Sequence, residues 1–74
     1  MLEIRSYSRV DDGSPNGRWE WNGDGWPATG PADEALESSR QTGDWSAYAT
    51  GEECRLAAFN DDDDEIAELV FSIE

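Results

Sequence analysis

Apolar and polar residues alternate along much of this chain, beginning at its second residue. Over residues 2–10, Leu2, Ile4 and Val10 fall on one side, while Glu3, Arg5, Tyr7 and Arg9 fall on the other. That period-two pattern predicts a half-buried strand. Residues 11–17 (Asp11-Asp12-Gly13-Ser14-Pro15-Asn16-Gly17) are all turn-forming types and predict a loop. A short second strand is predicted over 18–22, with Trp19 and Trp21 on the face opposite Arg18, Glu20 and Asn22. The two strands would make an N-terminal hairpin. Asn22-Gly23-Asp24-Gly25 reads as a strong turn, from which Trp26-Pro27 leads away.

The pattern then changes period. Gly30 can serve as an N-cap, Pro31 suits the first helical position, and Asp33 and Glu34 sit in the first turn, where the helix dipole favours acids. Ala32, Ala35, Leu36 and Ser39 form an inward stripe, Asp33, Glu34, Glu37 and Gln41 an outward one, and Gly43 is a natural stop. So small a stripe predicts a helix lying close against a sheet.

Three more strands are expected. Trp45, Ala47 and Ala49 alternate with Ser46, Tyr48 and Thr50; Thr50-Gly51-Glu52-Glu53 turns the chain into a strand over 54–59. Residues 65–74 place Ala67, Leu69, Phe71 and Ile73 on one face and Glu68, Ser72 and Glu74 on the other. A helix would instead align Ile66, Leu69, Val70 and Ile73, with Asn60 as cap; the strand-forming Val70-Phe71-Ser72-Ile73 favours a strand. The expected fold class is therefore α+β: a small antiparallel sheet, made of the N-terminal hairpin and a C-terminal meander, with one helix packed on it. Residues 1–74 read as a single domain without repeat or linker.

Composition narrows function by subtraction. Five arginines face eighteen Asp and Glu residues, for a formal charge of −13, and lysine and histidine are absent. Such charge pulls toward disorder. Eight aromatics, four of them Trp, pull the other way, since each buried ring removes about 150–250 Å² from water. Cys54, the single cysteine, can neither close an internal disulfide nor build a thiolate metal cluster. No apolar run approaches the roughly 20 residues of a membrane span, and the alternating N-terminus does not read as a signal peptide. The expectation is a soluble, cytoplasmic domain with no membrane association.

Catalysis is not expected. Cys54 and the serines have no histidine or lysine to activate them, no phosphate-binding glycine loop precedes a helix, and a chain this short leaves little room for a desolvated carboxylate pair. No cofactor is implied. Asp61-Asp62-Asp63-Asp64-Glu65 offers hard oxygen ligands but lacks the EF-hand spacing, so it reads as a solvated turn and no metal site is assigned. Direct nucleic-acid binding is opposed by the sign of the charge.

Reversing that sign gives the favoured reading. DNA carries one charge per roughly 1.7 Å of axis. Side chains on one face of a strand recur about every 6.6–6.8 Å and strands lie about 4.8 Å apart, so a few acid-bearing elements can lay out a charge lattice on that scale. The candidate partner-binding acids are Asp11 and Asp12 in the first loop, Asp33, Glu34 and Glu37 on the helix, Glu52 and Glu53 in the following turn, and Asp61, Asp62, Asp63, Asp64 and Glu65. Such a surface would be steered onto a basic nucleic-acid-binding groove and would block it. In size, charge and lack of catalytic groups the chain resembles the small anti-CRISPR and anti-restriction inhibitors that phages encode, several of which mimic DNA. That resemblance implies a non-enzymatic inhibitor of a basic nucleic-acid-binding protein or complex, working in the host-cell cytoplasm as monomer or homodimer.

Two other readings compete. Abundant Asp and arginine in place of lysine also mark adaptation to a high-salt cytoplasm, which should spread acid over every surface, whereas a mimic should gather it. Asp61–Glu65 holds five of the eighteen acids, which leans toward gathering, and Arg5 and Arg9 on one strand face, with Arg18 across the hairpin, offer a contrasting basic edge. The chain could also be an antitoxin-like regulator or interaction module binding through exposed aromatics, with Trp26 and Trp45 as anchors.

Overall fold

A computed structural model describes residues 1–49 and 53–73, apart from the side chains of Asp24 and Ser46. Two antiparallel hairpins flank one helix: strand β1 (Leu2–Val10) and β2 (Arg18–Ala28), helix α1 (Ala32–Thr42), a 3-10 turn η1 (Trp45–Tyr48), then β3 (Glu53–Phe59) and β4 (Glu65–Ser72). The strands form a single sheet in the order β2-β1-β3-β4, every neighbour antiparallel. This is the α+β arrangement of one helix on a small antiparallel sheet, and residues 65–72 are the strand their composition favours.

The alternation of β1 decides which side is covered. Ile4, Ser6 and Ser8 are buried beneath α1 and η1, and Glu3, Arg5, Tyr7 and Arg9 take the other face. The core is small: Ile4, Cys54, Leu56 and Ala58 from the sheet meet Ala35 and Leu36 from α1 and Trp45 from η1. Leu2, Leu69 and Phe71 pack around it. Sheet-facing residues are short enough for α1 to settle across β1, β3 and β4.

Three expectations are corrected. Asn22-Gly23-Asp24-Gly25 does not turn the chain; β2 runs through it. Arg5 pairs with Gly25 and Tyr7 with Trp21, so Asn22, Gly23 and Asp24 stand opposite Ser6 as a bulge. Asn22 is held there by its amide: Nδ2 donates to Ser6 Oγ at 3.1 Å and Oδ1 accepts from Ser8 Oγ at 2.8 Å. These bonds satisfy buried hydroxyls that would otherwise be costly.

The expected strand over 45–50 is instead η1, so the C-terminal meander is a two-stranded hairpin, and β1 takes the inner place beside β3. Trp45 explains this. Its ring is 3% exposed and stacks 5.1 Å from Trp26 and 6.2 Å from Tyr48, so η1 plugs the end of the core rather than extending the sheet. Thr50 and Gly51 lie outside the described residues.

The helix begins one residue later than expected. Pro31 is the N-cap position, with its carbonyl accepting from Ala35 N–H at 2.9 Å, and Gly30 precedes it at φ +97°. At the other end Gly43 N–H bonds Ser39 O at 2.8 Å. A Cβ on Gly43 would stand 2.6 Å from Trp45 Nε1, so glycine here lets the indole tuck against the helix end.

Candidate functional site

The acidic positions are held by local bonds and not by a cleft. In the first loop, Asp11 Oδ1 accepts from Gly13 N–H at 3.1 Å, and Asp12 accepts from the N–H and hydroxyl of Ser14. The Ser14 bonds, aided by Arg18 at 3.7 Å, hold the Asp12 carboxyl below its ordinary range. Residues 60–64 close the β3–β4 hairpin, where Asn60 Oδ1 accepts from the N–H groups of Asp62 and Asp64 at 3.0 Å each. Asp63 sits at φ +64°, a left-handed conformation that Asp and Asn adopt more readily than most residues. On α1, Asp33, Glu34 and Glu37 are all exposed.

The five arginines are all committed to these or neighbouring acids. Arg5 reaches Glu3 at 3.1 Å and also Asp63; Arg9 reaches Glu53 at 3.1 Å; Arg40 reaches Glu37 at 3.1 Å; Arg55 reaches Glu68 at 2.7 Å and also Glu65. The hydrogen bonds that Arg5 donates to Glu3 and Asp63 raise it well above the usual guanidinium range. For Arg55 burial acts to lower the pKa, but Glu65 and Glu68 together outweigh it and raise it. Asp61 takes the Met1 amino group at 3.2 Å. Among the described residues Asp33, Glu34, Asp62 and Asp64 have no cationic partner. Glu52 lies outside the described residues, and Glu53 is the first residue of β3.

The open face of the sheet is different in kind. Register places Trp21, Tyr7, Arg55 and Val70 in one row across all four strands. The neighbouring row runs from Trp19 through Arg9, bonded to Glu53, to Ser72. Arg5 lies 3.9 Å over the Phe59 ring and 5.9 Å from that of Trp21; Arg55 lies 5.1 Å over Tyr7. With these arginine side chains across it, Ala57 is 0% and Phe59 9% exposed, although no element among the described residues covers this face. Trp21, at 54%, and Trp19, at 38%, stay exposed beside them.

Several sequence-based placements change accordingly. Trp45 is buried and cannot serve as an exposed anchor; its indole N–H is sealed in with no hydrogen-bond partner among the described residues. Trp26 is exposed on one side and packs on Trp45 with the other. Arg18 pairs opposite Val10 on the covered side of β1, so it does not extend the edge formed by Arg5 and Arg9; Arg55 does. Sequence reasoning missed Arg55 and the aromatic row because they come together only through the β1–β3 pairing, 48 residues apart at Tyr7 and Arg55.

A groove of about 490 Å³ runs between α1 and the end of β2, walled by Trp26, Pro27, Ser38, Thr42 and Trp45. Glu34 is its single acidic residue, so paired carboxylates of the kind acid–base chemistry calls for do not meet there. Among the described residues no three acidic or thiol side chains converge on a point where a metal ion could sit. No described helix is long and apolar enough to cross a membrane. No family model, curated protein or solved structure matches the chain.

Proposed function

We propose that the protein is a non-enzymatic inhibitor whose acidic surface occupies the basic groove of a nucleic-acid-binding protein, such as a CRISPR or restriction complex. The observation that supports this reading is the unequal distribution of charge. Arg5, Arg9 and Arg55 stand on the open sheet face, paired with Glu3, Glu53, Glu65, Glu68 and, from the β3–β4 turn, Asp63, leaving two arginines against thirteen acids for the rest of the chain. Adaptation to salt has no reason to sort charge in this way, whereas a surface meant for a polycation-lined groove does. The unpaired acids Asp33, Glu34, Asp62 and Asp64 are its centre.

The test is capture of partners from a bacterial lysate, eluted by a salt gradient and in parallel by competitor duplex DNA. Expected are nucleic-acid-binding proteins that duplex displaces, and loss of capture in Asp33→Asn/Glu34→Gln/Asp62→Asn/Asp64→Asn. Because these side chains hold no ion pair, the quadruple variant should keep its stability within about 0.5 kcal/mol per site. A partner retained by the variant and indifferent to duplex would replace this reading with that of an ordinary interaction module.

A further inference from the structure

We propose that two copies of the chain associate through the open faces of their sheets, about a two-fold axis that runs parallel to the strands. The inference is independent of the proposed inhibition and rests on charge and register.

Charge restricts where two such chains can meet. Each carries −13, so any approach of helix face to helix face, or of one β3–β4 turn to another, brings unpaired carboxylates together. The open face is closer to balance, with its three arginines already in contact with Glu3, Glu53, Glu65 and Glu68 and with Asp63 of the β3–β4 turn. Its exposed apolar groups also lie at opposite edges: Trp19 and Trp21 on β2, Val70 on β4.

Register makes that face complementary to itself. A two-fold along the strands keeps each cross-strand row level and reverses its order. The row Trp21–Tyr7–Arg55–Val70 then meets its own reverse: Trp21 falls on the partner's Val70, and Tyr7 falls on the partner's Arg55. In the adjacent row Arg9 falls on the partner's Glu53, and Glu53 on the partner's Arg9. The contact is isologous, as a closed dimer requires. Tryptophan, tyrosine and arginine, which dominate the energetics of interfaces, lie along it. Four strands of seven to eleven residues, about 4.8 Å apart, make a face on the order of 500 Å² before side-chain relief is counted, the size of a small interface and below the about 800 Å² per partner of a standard one.

Sedimentation of the intact chain at about 0.15 and 0.5 M NaCl tests the arrangement, since outward carboxylates are screened at the higher salt. A dimer that tightens with salt is expected. Trp21→Asp and Val70→Asp, both at exposed positions, should each weaken it by about tenfold or more. Arg9→Glu and Glu53→Arg should each do the same by setting like charges across the axis, and the double exchange Arg9→Glu/Glu53→Arg should restore the dimer. Melting followed by circular dichroism separates loss of association from loss of fold. A chain that stays monomeric to about 1 mM at both salts overturns the proposal. So does a dimer indifferent to Trp21→Asp and Val70→Asp, or one that the double exchange fails to restore.

Discussion

The two faces of this sheet are built from the same four strands and solve the problem of a thin core in opposite ways. On the covered face the residues are short. Ser6, Ser8, Cys54 and Ala58 let α1 and η1 come close, and the dry interior is made by backbone proximity. On the open face the residues are long. The guanidinium groups of Arg5 and Arg55 lie over Phe59 and Tyr7, so that whole arginine side chains do on this face what the helix does on the other side. A domain of 74 residues buries only about 60% of its unfolded surface, so a second, arginine-roofed layer adds substantially to a single small core. The difference teaches that these arginines act as much by covering carbon as by carrying charge.

The sharpest way to break the comparison is at its covered side. Leu56 is fully buried between α1 and the sheet, and Leu56→Ala should cost about 2–5 kcal/mol by urea denaturation, enough to unfold most of a population this marginal. The open side should yield less and respond to shape. Arg5→Ala, which uncovers Phe59, should cost about 1 kcal/mol, while Arg5→Met should retain most of the stability. If Arg5→Met were as damaging as Arg5→Ala, covering by the stem would not be what this face depends on.

The smallest effect concerns protons. Burial raises the Cys54 thiol, and the contact with Ser6 at 3.7 Å only partly offsets it. A thiol raised in the folded state favours folding fully at pH values below its unfolded pKa and loses that contribution as pH climbs toward its folded one. Stability should therefore decline as pH passes the ordinary thiol range of about 8.5, and Cys54→Ala should flatten that decline. A decline of equal slope in Cys54→Ala would assign it to other groups.

Much of the covered face was legible in the sequence. Leu2 and Ile4 in β1, Ala35 and Leu36 in α1, and Leu69 and Phe71 in β4 declare themselves by period, because a buried stripe needs only local spacing to be seen. Ser6 and Ser8 did not, since serine usually marks exposure; what buries them is the amide of Asn22, delivered by a bulge that the sequence disguises as a turn. Trp45 misled in the same way. Three alternating residues suit a strand, but the indole had a pocket beside Gly43 and Trp26 that outweighed local preference. The acidity was legible as composition and the Arg5–Arg9 edge as one face of a strand; the place of Arg55 beside them was not, because it follows from the pairing of β1 with β3.

That bulge has a further consequence, for self-association of the unwanted kind. A four-stranded sheet leaves two edges, β2 and β4, whose unpaired backbone groups could template endless strand addition. On β2, Asn22–Asp24 break the regular ladder and Pro27 brings no N–H at all. On β4, Ile66 is skipped between the pairs Ala58–Ala67 and Phe59–Glu65, and Glu65 and Glu68 charge the strand. Both margins are thus irregular, so fibrous growth by ribbon extension has no straight template on either side of the molecule.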